Sequence, residues 1–162
     1  MNRRTSVERT SDRELIITRT FDCPARIVFE AWTKPQLLKG WLAPKSMDMS
    51  LVSGEADLRV GGWYRFWFGR VAERPLMALI GRYTEVTPPS RLAWTNEETD
   101  EGAVSTATFE EKDGRTLLVQ RDLYPSKEAL DRALAGMEEG LTEQFAQLDE
   151  LLVALTASAR RP

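Results

Sequence analysis

The sequence predicts an α+β domain: a curved antiparallel sheet of about six to seven strands wrapped around one long C-terminal helix. Three observations lead there. The last long segment, Lys127 to Leu155, carries apolar residues every three or four positions. The middle of the chain alternates apolar and polar residues in short runs separated by turn signals. Strands follow one another without helices between them, which argues against an alternating parallel arrangement.

The terminal segment sets the architecture. Leu130, Leu134, Met137, Leu141, Phe145, Leu148, Leu152 and Leu155 fall in one narrow stripe at 100° per residue. Ser126 stands in the N-cap position. A helix of this length spans roughly 40 Å at about 1.5 Å per residue. A flat sheet cannot cover it, because sheets twist, so the strands are expected to curl round it.

Taken in order, residues 1–12 are polar and patternless and are expected to form a disordered tail. A single domain is expected over 13–155, with a C-terminal tail over 156–162. Glu14 to Phe21 alternates as a strand. Asp22-Cys23-Pro24 ends it and opens a short helix with Ile27, Val28, Ala31 and Trp32 on its apolar face. Thr33 and Gln36 have capping-box spacing and predict a second short helix closed by Gly40. Ser46 to Ser53 alternates with Met47, Met49 and Leu51 on one face. Trp63 to Phe68 is the most aromatic run. Leu76 to Val86 contains Gly81, which suggests a bulge or close backbone approach. Arg91 to Thr95, Val104 to Glu111 and Thr116 to Arg121 complete the strands, the last two joined by the hairpin pair Asp113-Gly114.

Composition narrows the function classes. The 162 residues hold 22 Lys plus Arg against 25 Asp plus Glu, a net charge of −3. A nucleic-acid footprint needs a concentrated basic face. Here the basic pairs, Arg3-Arg4 and Arg160-Arg161, sit at the ends. Histidine is absent and Cys23 is the single cysteine. The Ser-His and Cys-His nucleophile pairs are therefore unavailable, and no metal site or cofactor is expected. No apolar run resembles a signal peptide or reaches membrane-spanning length, so a cytoplasmic location without membrane contact is expected.

Several stretches together carry a family resemblance: Phe21-Asp22-Cys23-Pro24 running into Val28-Phe29-Glu30-Ala31-Trp32-Thr33, then Trp41; Asp57 through Gly62; Gly81, Tyr83 and Glu85 ahead of Pro88-Pro89; Arg91-Leu92 with Trp94-Thr95; and the terminal helix. The chain resembles the START-like, or SRPBCC, superfamily with its helix-grip fold. More narrowly it resembles single-domain bacterial proteins related to the activator of the ninety-kilodalton heat-shock protein ATPase. The resemblance covers Glu14 to Leu155. It implies a cavity between helix and sheet, which in such proteins commonly holds an apolar or amphipathic small molecule.

Candidate site residues follow. The resemblance places Tyr64, Phe66 and Phe68 inward on their strand, with Tyr83, Trp94, Phe109 and Gln120 further inward candidates. Trp41, Met137, Gly140, Leu141 and Gln144 complete the expected ligand-binding set. Plain core packing accounts for the same aromatic residues, since buried aromatics are usually core. Gly136 and Gly140 each weaken a helix by about 1 kcal/mol, which a close strand crossing, a ligand void or a kink would explain. Alternation leaves Trp63 and Trp67 outward, as a contact surface for a homodimer or a protein partner. Cys23 precedes a helix but lacks an activating base. Three functions compete: non-catalytic binding of a small apolar ligand, a protein-interaction or chaperone-modulating module, and a cavity enzyme of cyclase, hydratase or lyase type using a carboxylate, Tyr83 or Arg65. A buried carboxylate hydrogen-bonded to a cavity tyrosine would favour the third.

Overall fold

The computed structural model describes residues 5–43, 45–47, 50–69 and 77–159. Its elements are β1 (Ser6–Arg9), β2 (Glu14–Phe21), α1 (Ala25–Thr33), α2 (Pro35–Leu38), a 3₁₀ turn (Lys45–Met47), β3 (Ser50–Ala56), β4 (Trp63–Gly69), β5 (Met77–Thr87), β6 (Arg91–Thr95), β7 (Val104–Lys112), β8 (Arg115–Leu123), α3 (Lys127–Leu134) and α4 (Met137–Ala159). The strands form one sheet in the order β1-β2-β8-β7-β6-β5-β4-β3, with every neighbouring pair antiparallel. This is the expected α+β grip. Among the described residues, only the β2–β8 pairing is not between chain neighbours. It brings the N-terminal strands β1 and β2 onto the last strand before the helices.

Alternation decides which way each strand faces. Leu15, Ile17, Arg19 and Phe21 of β2 are buried, while Glu14, Ile16, Thr18 and Thr20 are only partly so. In β4, Tyr64, Phe66 and Phe68 are buried and Trp63, Arg65 and Trp67 are exposed, as a period of two requires for a sheet with one covered face. The core under the helix is aromatic. Phe21 meets Phe145 of α4 edge-on at 5.5 Å, and Trp32 of α1 lies 4.7 Å from Trp41 and 5.9 Å from Phe145 between ring centres.

Four sequence expectations are corrected. The N-terminal segment is not structureless throughout, because Ser6–Arg9 adds an edge strand to β2. The polar sequence is no obstacle there, since an edge strand is held by backbone hydrogen bonds. The terminal helix is two helices, not one. Gly136 takes φ 77° and separates α3 from α4, a left-handed residue that ends a helix readily only as glycine. The second helix also runs past Leu155 to Ala159, so 156–159 is not tail. Finally, Thr33 is not an N-cap. Its hydroxyl donates to the Phe29 carbonyl one turn back (2.9 Å), and Lys34 precedes α2 without a side-chain cap.

Boundaries shift elsewhere. The strand expected from Ser46 begins at Ser50, preceded by the 3₁₀ turn; Met49 and Leu76 lie outside the described residues. Gly81 does sit at a close approach: a Cβ there would collide with the Thr95 carbonyl and lie 2.5 Å from the Tyr64 hydroxyl. The β5–β6 register shifts between Tyr83 and Glu85. Asp113 and Gly114 both take positive φ, 55° and 77°, as the tight hairpin needs.

Candidate functional site

Two adjoining chambers lie between the helices and the concave sheet. The smaller, about 100 Å³, is lined mainly by Leu38, Tyr64, Phe66, Tyr83 and Leu92. The larger, about 410 Å³, is bounded by Gln120 and Asp122 of β8 and Tyr124 just after it, by Leu141, Gln144 and Phe145 of α4, and by the 96–103 loop. Trp32, Trp41, Leu42, Leu79, Trp94 and Asn96 line both. Indole walls thus stand at the junction. The larger volume falls within the roughly 300–1,000 Å³ typical of small-molecule sites.

Each wall has a local reason for its position. The Trp41 indole N–H donates to the Ala31 carbonyl at 3.0 Å, which fixes the ring against α1. The segment after Trp41 is tied to α4. Gln144 donates to the Leu42 carbonyl, Gln147 donates to the carbonyls of Trp41 (3.2 Å) and Ala43 (3.0 Å), and the Lys45 N–H donates back to Gln147 at 2.9 Å. Glu143 accepts from the Ser46 N–H and hydroxyl. Helix α4 therefore holds one wall of the site through a row of polar side chains. On the sheet side, the Tyr64 hydroxyl donates to the Thr95 carbonyl at 2.7 Å. The Asn96 amide donates to the Ala103 carbonyl (2.6 Å) and to the Ser105 hydroxyl (3.1 Å), closing the 96–103 loop on itself. Across the loop, Glu101 is bridged by Arg132 of α3.

The larger chamber has a polar end built on Asp122. This carboxyl is only 6% exposed. Gln120 donates to its two oxygens at 3.1 and 3.4 Å, and Ser105 on β7 hydrogen-bonds it as well. Burial pushes the carboxyl up from its ordinary range, and these two hydrogen bonds pull it back in part. Tyr124, two residues on, is raised first by burial and then by the Asp122 charge. Burial likewise pushes Tyr83 up to about 12, and raises Tyr64 with a smaller contribution from Glu98. The tyrosines are therefore neutral hydrogen-bonding groups at physiological pH.

The chambers bring together most of the residues expected from sequence. Trp41, Tyr64, Phe66, Tyr83 and Trp94 line them, as do Gln120, Leu141 and Gln144. Three candidates lie elsewhere. Phe109 is core, its ring met by Phe29 at 5.6 Å and Trp32 at 5.5 Å. Met137 packs against the core at the start of α4. A Cβ on Gly140 would meet nothing within 4 Å, so no strand crossing explains that glycine, and it lines neither chamber. The outward candidates Trp63 and Trp67 are 44% and 37% exposed, with the Arg65 guanidinium 5.8 Å from the Trp63 ring centre.

Asp122, Tyr124, Ser105, Asn96 and Trp32 escaped the sequence reading as lining residues. The signal for two of them was present. Leu118, Gln120, Asp122 and Tyr124 continue one alternation, so an inward Gln120 carries Asp122 and Tyr124 inward with it.

Chemically, the site offers apolar walls, neutral phenols and one buried carboxyl. Asp122 is hydrogen-bonded by glutamine and serine and, among the described residues, by no tyrosine. Cys23 is buried, hydrogen-bonded to Thr156 (3.4 Å), and its thiol is raised by burial, which opposes the reactive thiolate. Among the described residues no group of three or more His, Cys, Asp or Glu converges as metal ligands would, and no helix is long and apolar enough to cross a membrane.

A family model described as "Activator of Hsp90 ATPase homolog 1-like protein" matches residues 22–153. The chain belongs to the AHSA1-like family. Solved structures share its fold. A Rhodobacter sphaeroides protein is 25% identical, with 93% of this chain and 99% of that one covered, at a TM-score of 0.85. A Mycobacterium smegmatis protein is 27% identical over 93% and 98% of the two chains, at 0.75. An AHSA1-like protein from Aeromonas hydrophila shares the fold at 20% identity, covering 87% and 94%, with a TM-score of 0.70. No curated protein matches this AHSA1-like chain.

Proposed function

We propose that this AHSA1-like protein binds an apolar or amphipathic small molecule, without reacting it, in the two chambers between α4 and the sheet. The observation that carries the reading is the larger chamber. It is about 410 Å³ and is walled by three tryptophans and by the 96–103 loop. A cavity that size is too large to be a packing defect, since native interiors hold few voids larger than a water molecule. Its indole and leucine walls suit an apolar body, and the polar groups among them, Gln120, Asp122 and Gln144 included, give a ligand points to orient on. Native mass spectrometry of the protein purified from its cells is expected to release a small molecule. A Leu141→Trp variant, which fills the chamber from α4, is expected to release none. Equal behaviour of the two proteins, together with no thermal shift from apolar aromatic probes, would overturn the proposal.

A second reading rests on the opposite face of the sheet. Trp63 and Trp67 are exposed on the same face of β4, one on each side of Arg65, with exposed Val52 on the neighbouring edge strand β3. Exposed indoles of this kind suit a second copy or a protein partner, and the family's name refers to activation of a chaperone ATPase. Under this reading, a partner retained by the purified protein is lost on Trp67→Ala. A pull-down that holds no partner, or holds the same one after that substitution, removes the reading.

A further inference from the structure

We infer that the ligand is an aromatic or alicyclic amine: an apolar ring body seated on the tryptophan walls, with a protonated nitrogen donating to Asp122. The inference rests on the small-molecule reading above and deepens it.

The chemistry of the walls selects the head group. Asp122 lines the larger chamber and is the most buried ionisable side chain there. Among the described residues it has no Lys or Arg partner; its hydrogen bonds come from Gln120 and Ser105. Both neighbours use its oxygens as acceptors. A carboxylate has about four lone-pair sites, so acceptor capacity is left for a donor arriving from the chamber. A buried carboxylate without a cation is costly, and a bound ammonium is the group that relieves it.

The rest of the lining points the same way. Among the described residues, neither chamber is lined by any Lys or Arg, while Glu98 and Glu101 stand with Asp122 around the larger one. Glu101 is already paired with Arg132. A carboxylate or phosphate ligand would enter with no cation to meet it and with buried negative charge opposite. Trp32, Trp41 and Trp94 stand at the junction of the chambers and offer flat apolar faces to the ring body. A fatty acid would fit the apolar walls and fail at the polar end; an amine with an aromatic body satisfies both.

Three probes of nearly equal shape separate the cases: tryptamine, the neutral 3-ethylindole and the anionic indole-3-propionate. Binding is measured by calorimetry on the full chain and on Asp122→Asn. Tryptamine is expected to bind about tenfold or more tightly than 3-ethylindole, the size of one charge-assisted hydrogen bond, with indole-3-propionate the weakest. In Asp122→Asn the preference for tryptamine over 3-ethylindole is expected to fall to within about twofold. If 3-ethylindole binds and tryptamine binds no better to the native chain, the amine inference is wrong while the cavity reading stands. If none of the three binds, both fall. The comparison within the native chain decides the matter even if the variant does not fold.

Discussion

Arg19 of β2 and Asp149 of α4 form an ion pair inside the grip of sheet and helix. The Arg19 side chain is 5% exposed and donates from Nη2 to the Asp149 carboxylate. Its guanidinium also sits 5.1 Å from the Phe21 ring centre and 5.8 Å from that of Phe145, and its Nε is buried without a hydrogen bond. The pair clamps α4 to β2, the strand beside the β1 edge of the sheet. Removing one partner should hurt more than replacing the cation. Asp149→Ala strands a buried guanidinium and is expected to cost roughly 2–3 kcal/mol, less than a fully buried pair because Asp149 is partly exposed. Arg19→Met keeps volume, removes the desolvated charge, and should cost under about 1.5 kcal/mol. Urea unfolding of both variants tests the order, and the reverse order would refute it.

The two helix glycines should respond with opposite signs. Gly136 has positive φ, and its carbonyl accepts from the Gly140 N–H at 3.1 Å to start α4. Alanine there meets no neighbour but is forced into left-handed backbone, at a cost of about 1 kcal/mol. Gly140 lies inside α4 with open space where a Cβ would go. Gly140→Ala is expected to stabilise by roughly 0.5–1 kcal/mol. Thermal unfolding should raise Tm for one and lower it for the other.

At Gly81 space is the limit. An added methyl collides with the Thr95 carbonyl and crowds the Tyr64 hydroxyl that donates to it. Gly81→Ala should destabilise by about 2 kcal/mol or more, since overpacking against backbone cannot relax cheaply. It should also displace Tyr64 from the smaller chamber. A variant of native stability would contradict the close approach.

Asp122 makes stability pH-dependent in a defined sense. Burial raises its carboxyl in the folded protein above the ordinary value of 3.8. Between the unfolded and folded values the native state holds more protons, so this group's contribution to stability is present at low pH and falls as pH rises through that window. Asp122→Asn removes the ionisable group. The stability of the variant relative to the native chain should therefore increase from pH 4 upward and level off above the folded value. A difference that is flat, or that decreases with pH, would show that Asp122 is not penalised by burial.

Much of this architecture was legible locally. In β4, alternation set Tyr64, Phe66 and Phe68 on one face and Trp63 and Trp67 on the other, and the family resemblance placed the first set inward. The apolar stripe of the terminal segment marked the element that needs covering. The site was legible only in part. Asp122 continues the inward series of β8, yet a carboxylate reads as solvent-facing until Ser105 and Gln120 are seen to hydrogen-bond it. Phe109 reads as lining by the same alternation that places it, but α1 puts Phe29 and Trp32 on top of it. Thr33 has the spacing of a cap and instead satisfies the carbonyl one turn back.

By itself the sequence determined the class of the fold, the inward face of most strands and the residues able to wall a cavity. These depend on periodicity and on the burial of apolar groups, which act over a few residues. The tertiary structure decided the split of the terminal helix at Gly136, the edge strand at Ser6–Arg9, the Arg19–Asp149 clamp and the carboxyl at the end of the larger chamber. Each of these depends on which distant group arrives opposite: a backbone edge, a counter-charge, a hydrogen-bond donor or an empty volume. Such partners are set by the pairing of β2 with β8 and by the seat of α4 on the sheet, contacts between residues far apart in the chain.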